Sequence, residues 1–176
     1  MKLIYNGFLD YIENEDDDEE RFITFNNIIQ DQNIRENSND FRLFLHMILY
    51  ITNNHHHRAN FYAKVEKILI SFKNMLKQFY SNQTLFSIFK SNKRLLLFLI
   101  NEKLIDVDSY IIKQIINDKY IDKNYPLYFA PEIKPFINEK WFLSRIFSKE
   151  WIEFINNELP PNFEENRLKG ENEHYV

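Results

Sequence analysis

A chain of 176 residues with 44% apolar side chains is sized for one domain and has enough apolar mass for its own core. It has no cysteine, which excludes disulfides and thiolate metal sites. Its two glycines exclude Gly-rich phosphate loops and most tight β-hairpins. The net charge of −4 is unevenly placed, with 3 basic against 11 acidic side chains over residues 1–40, 17 against 9 over 41–150, and 2 against 6 over 151–176.

Hydrophobic periodicity predicts helices from end to end. The first covers Leu3–Glu15, with Ile4, Phe8 and Ile12 at four-residue spacing. Asp16-Asp17-Asp18 breaks it and offers a cap to a second helix, which runs to about Asp31 with Phe22, Phe25, Ile28 and Ile29 on one side and Glu19 and Glu20 in its positive first turn. After Asn37-Ser38-Asn39-Asp40 comes the most apolar helix, Phe41–Thr52. Phe41, Phe44, Leu45, Ile48 and Leu49 line one side, and Leu43, Met47, Tyr50 and Ile51 the other, a pattern that predicts a central place in a bundle. Arg58–Tyr80 reads as one long helix. Its stripe is Phe61, Val65, Ile68, Leu69, Phe72, Met75, Leu76 and Phe79, and Lys64, Lys67, Lys73 and Lys77 face water.

Shorter helices follow. Thr84–Lys90 and Lys93–Lys103 read as a hairpin broken at Ser91-Asn92. Asp106 or Asp108 caps Ser109–Asp118, and Lys119–Pro126 is loop. Pro131 opens a short helix over Glu132–Asn138, in which Pro135 sits awkwardly. Glu139–Ser148 and Lys149–Asn157 form a last pair, stopped at Pro160-Pro161. A polar exit segment with a short helix completes the chain. The predicted fold is all-α, with helical hairpins stacked as an irregular bundle or short α-solenoid. One domain is expected over residues 1–160, with an acidic helical part at 1–40, a basic core at 41–150 and the polar exit at 161–176. Ser87–Ile116 resembles one degenerate repeat of ankyrin length, but it lacks the Thr-Pro-Leu-His signature and the repeat glycines, so no true ankyrin repeat is predicted.

No constellation asks for catalysis. There is no Gly-x-Ser-x-Gly, no His-Glu-x-x-His and no cysteine nucleophile, so the chain reads as not an enzyme, and no cofactor is implied. His55-His56-His57 cannot converge on one metal, because adjacent helical residues point about 100° apart. Asp16–Glu20 lacks the ligand spacing and central glycine of a calcium loop. Arg58–Arg94 holds eight basic residues against one acid, Glu66, with aromatics interleaved. Lys67, Lys73 and Lys77 are therefore candidates for binding nucleic acid or another polyanion, but most of those aromatics fall on the apolar stripe and the pI is below 7. Trp141 and Trp151 are candidate partner-binding residues, against the plainer reading that they pack at a helix seam. The longest apolar run, Leu95–Ile100, is far short of the ~20 residues of a membrane span, and Asn6 and Asp10 interrupt any signal-peptide core. The expected location is intracellular, cytoplasmic or nuclear.

Four strings carry a family resemblance: Asn53-Asn54-His55-His56-His57-Arg58, Ile88–Leu99 (Ile-Phe-Lys-Ser-Asn-Lys-Arg-Leu-Leu-Leu-Phe-Leu), Pro131–Trp141 (Pro-Glu-Ile-Lys-Pro-Phe-Ile-Asn-Glu-Lys-Trp) and Gly170-Glu171-Asn172-Glu173-His174-Tyr175. Together they resemble the helical N-terminal region, itself a domain of unknown function, of an ankyrin-repeat protein family from trichomonad protists. The resemblance implies a non-enzymatic protein–protein interaction module, the N-terminal platform or cap of an ankyrin-type scaffold. The array would follow Gly170–Tyr175, and the junction would lie around Trp141–Asn157. A chain ending at Val176 is then expected to leave an apolar patch there and to self-associate. The family brings no catalytic or ligand residues to transfer.

Overall fold

The computed structural model describes residues 2–13, 19–34, 38–55, 61–117, 125–143 and 149–169, and the fold is all-α, with no strand among those residues. The chain divides into two compact units, Met1–Asn92 and Lys93–Val176, a boundary that periodicity within residues 1–160 does not reveal.

The first unit holds α1 (Lys2–Glu13), α2 (Glu19–Asp31), α3 (Ser38–His55), α4 (Phe61–Ser71), α5 (Lys73–Phe79) and α6 (Asn82–Phe89). Aromatic contacts run through its core from one helix to the next. Phe8 of α1 meets Phe25 of α2 at 5.6 Å between ring centres, Phe25 meets Phe44 of α3 at 6.2 Å, and Phe44 meets Phe72 edge-on at 5.3 Å. Each buried ring contributes about 1.5–3 kcal/mol by burial, and each such pair about 0.5–1.5 kcal/mol more. Gly7 permits the approach of α1 to α2, since a Cβ there would stand 3.0 Å from Ile28 Cδ1 and 3.3 Å from Phe25.

Three expectations for this unit are corrected. The long helix predicted over Arg58–Tyr80 breaks at Phe72. The Ser71 hydroxyl donates to the Ile68 carbonyl at 2.6 Å, which an unbroken helix would offer to the Phe72 amide. That amide turns instead to Leu69 O at 3.1 Å. Phe72 takes a bent backbone (φ −103°, ψ 11°), and its ring is buried against Phe41 and Phe44. Lys64 does not face water: it is 3% exposed, and its ammonium donates to the carbonyl of Tyr11 at 2.9 Å. The second side of α3 is not buried throughout. Ile51 is, but Leu43 and Tyr50 are 58% and 66% exposed, because α3 spends its core-facing surface on Phe41, Phe44, Leu45 and Ile48.

The second unit holds α7 (Lys93–Asn101), α8 (Ser109–Asn117), α9 (Tyr125–Tyr128), α10 (Ala130–Ile133), α11 (Lys140–Leu143), α12 (Lys149–Asn156) and α13 (Phe163–Lys169). Predicted punctuation recurs here. Asp108 Oδ1 accepts the Ile111 amide at 2.9 Å and caps α8. Pro131 sits in the first turn of α10. Pro135 falls not in an α-helix but in a 3-10 turn, Lys134–Phe136, which meets the steric objection to a proline in the predicted helix. Tyr125–Tyr128 is helical where a loop was expected up to Pro126. The stretch read as a polar exit contains α13, whose Phe163 and Arg167 are both buried.

Candidate functional site

The second unit contains a cleft of about 470 Å³. Three pieces of chain build it. The first is the end of α7 and the loop that follows. A Schellman closure, with Leu104 N donating to Leu99 O at 2.9 Å and Lys103 N to Ile100 O at 3.0 Å, reverses the chain there. It places Lys103 at φ 61°, a left-handed position usually held by glycine. Behind it come Ile105, Asp106 and Val107. The second piece is α10 with its 3-10 turn, giving Pro131, Glu132, Pro135 and Phe136, where two prolines fix a stiff wall. The third is α13, which contributes Arg167.

Arg167 ties the third piece to the second. It is a charged side chain 4% exposed, and all three of its guanidinium nitrogens are engaged. Nη1 donates to Glu132 Oε1 at 2.6 Å and to the Tyr128 carbonyl at 3.1 Å. Nε and Nη2 grip Glu164 at 3.0 and 2.8 Å, a two-pronged contact that suits the planar fork of arginine. The Tyr128 hydroxyl donates in return to the Arg167 carbonyl at 2.9 Å, and the guanidinium lies 5.3 Å from the centre of the Phe163 ring. Burial pushes the Glu132 carboxyl above its ordinary range, and the charge and hydrogen bonds of Arg167 pull against that rise. A cleft with an internally matched ion pair and apolar walls is suited to an apolar group, with Lys103 and Asp106 exposed for its polar flanks.

Trp141 lies beside this cleft. Its ring is half-buried, packs 6.2 Å from Phe136 and 5.7 Å from Phe142, and carries the Lys113 ammonium 4.9 Å from its centre, while its Nε1 donates to Glu139. Phe136 thus belongs both to the cleft wall and to the tryptophan cluster. Trp151 falls on α12, and its side chain lies outside the described residues.

The candidate anion-binding lysines are not assembled on one helix. Lys67 on α4 pairs with Glu19 of α2 and covers the Phe22 ring at 4.6 Å, whereas Lys73 and Lys77 lie on α5, beyond the break at Phe72. Part of the acidic N-terminal segment therefore neutralises part of the basic one. His56, His57, Asp16–Asp18 and Gly170–Tyr175 lie outside the described residues. Among the described residues no group of three His, Asp or Glu side chains could hold a metal ion, and no helix is long and apolar enough to cross a membrane.

Arg167, Glu132 and Lys103 were not singled out from the sequence. Arg167 and Glu132 are 35 residues apart and belong to no motif. The one available signal was a basic residue three positions after Glu164 in an otherwise acidic tail. No protein family, curated protein or solved structure matches the chain.

Proposed function

We propose that this chain is a non-enzymatic protein–protein interaction module, acting as the N-terminal platform or cap of an ankyrin-type scaffold, and that the second unit carries its recognition site. The observation that carries the reading is the continuity of the 470 Å³ cleft, through Phe136, with the half-buried Trp141. Tryptophan with aromatic neighbours is a combination that concentrates binding energy at protein interfaces. The cap role rests on the resemblance of the four strings and on the need of a helical array for covered ends.

The alternative, polyanion binding through Arg58–Arg94, is less well supported. Lys64 is buried on Tyr11 and Lys67 is paired with Glu19, so two of its cations are already committed inside the fold.

The test is a pull-down of the tagged chain from source-cell lysate, divided into nuclease-treated and untreated halves and repeated with Phe136→Ser and Trp141→Ser. Discrete proteins that survive nuclease and disappear with either substitution are expected. Recovery of nucleic acid, or partners indifferent to both substitutions, would reject the cleft.

A further inference from the structure

Helix α13 depends on its seat. Its seven residues are too few to stay helical alone, since isolated helices shorter than about 12–15 residues are marginal in water. Among its described side chains Phe163 and Arg167, one turn apart, are buried. Phe163 packs against Phe154 of α12 at 6.2 Å, while Glu164, Glu165 and Leu168 are exposed. The chain reaches α13 from α12 through residues that are exposed except for the half-buried Leu159, and two of them are the stiff pair Pro160-Pro161.

The seat on α9 and α10 is shaped for a guanidinium. Both oxygens of the Glu132 carboxylate accept from Arg167 Nη1, at 2.6 and 3.1 Å, and the Tyr128 carbonyl accepts from the same nitrogen at 3.1 Å. The Tyr128 hydroxyl donates back to the Arg167 carbonyl at 2.9 Å. Such an anchor gives strong geometric selection and modest net adhesion, because the cost of desolvating a buried ion pair offsets much of its attraction. A short helix held this way behind an exposed linker is an element that opens as a unit while the rest stays folded. The segment already seated there shows the chemistry that the seat accepts: an aromatic residue, a glutamate next to it, and an arginine one turn on from the aromatic.

We propose that α13 is a displaceable strap, and that the seat it covers on α9 and α10 docks a helix of a partner protein with an aromatic residue at i and an arginine at i+4. The strap withholds the seat until the partner displaces it. Displacement also removes the Arg167 wall of the cleft. This rests on the reading of the second unit as the recognition unit, but not on Phe136 or Trp141.

Hydrogen exchange on the full wild-type chain gives the first test. The Asn166 amide, bonded to Asn162 O within α13, should exchange at least tenfold faster than the Ile112 amide, bonded to Asp108 O in α8, and Glu132→Gln should speed Asn166 alone. Equal opening of the two amides overturns the proposal without recourse to any variant. The second test titrates a fluorescent peptide of residues 159–170 against full chains. It should bind the Arg167→Gln chain at least tenfold tighter than wild type, whose own strap competes at an effective concentration on the order of millimolar. A twin peptide carrying Arg167→Gln should bind neither chain, and adding Glu132→Gln to the Arg167→Gln chain should abolish binding. Equal binding of the two peptides, or no binding to the Arg167→Gln chain, overturns the proposal. So does a concentration-dependent wild-type dimer that Arg167→Gln dissolves, which would make a second copy the occupant. Phe136→Ser must leave peptide binding intact; its loss would place the peptide in the cleft instead, whereas binding that persists while lysate partners are indifferent to Phe136→Ser would reject the cleft and keep the strap.

Discussion

The ammonium of Lys64 closes the C-terminal turn of α1: it donates to the main-chain carbonyl of Tyr11 at 2.9 Å and lies 5.2 Å from the centre of the Tyr11 ring. Carbonyls in a helix's last turn lack intrahelical donors, and a cation there also meets the negative end of the helix dipole. A lysine from α4, 53 residues along the chain, thereby becomes part of the cap of the first helix.

Lys64→Met should lower the stability of the chain by about 1.5–3 kcal/mol, since it removes a charge-assisted hydrogen bond and leaves a buried carbonyl without that donor. The exposed Lys77→Met should stay within about 0.5 kcal/mol of wild type. Urea midpoints at constant slope measure both. Equal effects would mean that the contact with Tyr11 contributes nothing.

Lys103→Gly should stabilise the chain by about 1 kcal/mol, because the left-handed backbone at φ 61° strains any residue with a Cβ. A thermal melt reads this directly. No gain, or a loss, would show that the lysine side chain offsets its own backbone cost through contacts at the cleft.

Arg167→Met should cost about 3–5 kcal/mol, because it leaves the buried carboxylate of Glu132 without its cation. Adding Glu132→Leu to that variant should recover much of the loss, as an apolar pair often replaces a buried ion pair at little cost. A double-mutant cycle from denaturation data isolates the coupling. Additive losses would show that the two side chains act separately.

The Glu132 carboxyl also gives a pH signature. Its folded-state pKa is raised by burial despite the opposing pull of Arg167. A raised group contributes stability that is fully present below its unfolded pKa and is lost as pH rises through the folded value. The stability of wild type relative to Glu132→Gln should therefore be greatest at the acid end and fall as pH rises past the ordinary carboxylate range. A difference that grows with pH would mean that Arg167 overcomes the burial.

Helix type, and the inner face of α3, could be read from the sequence because periodicity and capping are local. Phe41, Phe44, Leu45 and Ile48 are buried as their spacing requires, and Asp108 caps α8. Most of what escaped depended on partners distant in the chain. Lys64 lies at a position its neighbours mark as exposed, but it is drawn inward by a carbonyl on another helix. Arg167 looks like part of a solvated tail until α9 and α10 are beside it. The break at Phe72 turns on one serine hydroxyl taking a carbonyl from the backbone, a competition that a hydrophobic stripe does not register.

The exchange between Tyr128 and Arg167, each giving a side-chain donor to the other's main chain, has a consequence for biosynthesis. The second unit cannot complete its clamp until Arg167 has cleared the ribosome. The first unit closes earlier, when Asn92 reaches back to Asn53 at 3.0 Å and to the Tyr62 hydroxyl at 3.2 Å. The two units therefore mature in sequence as translation proceeds. A nascent chain stalled before residue 160 lacks α13, and with it the Arg167 wall of the cleft.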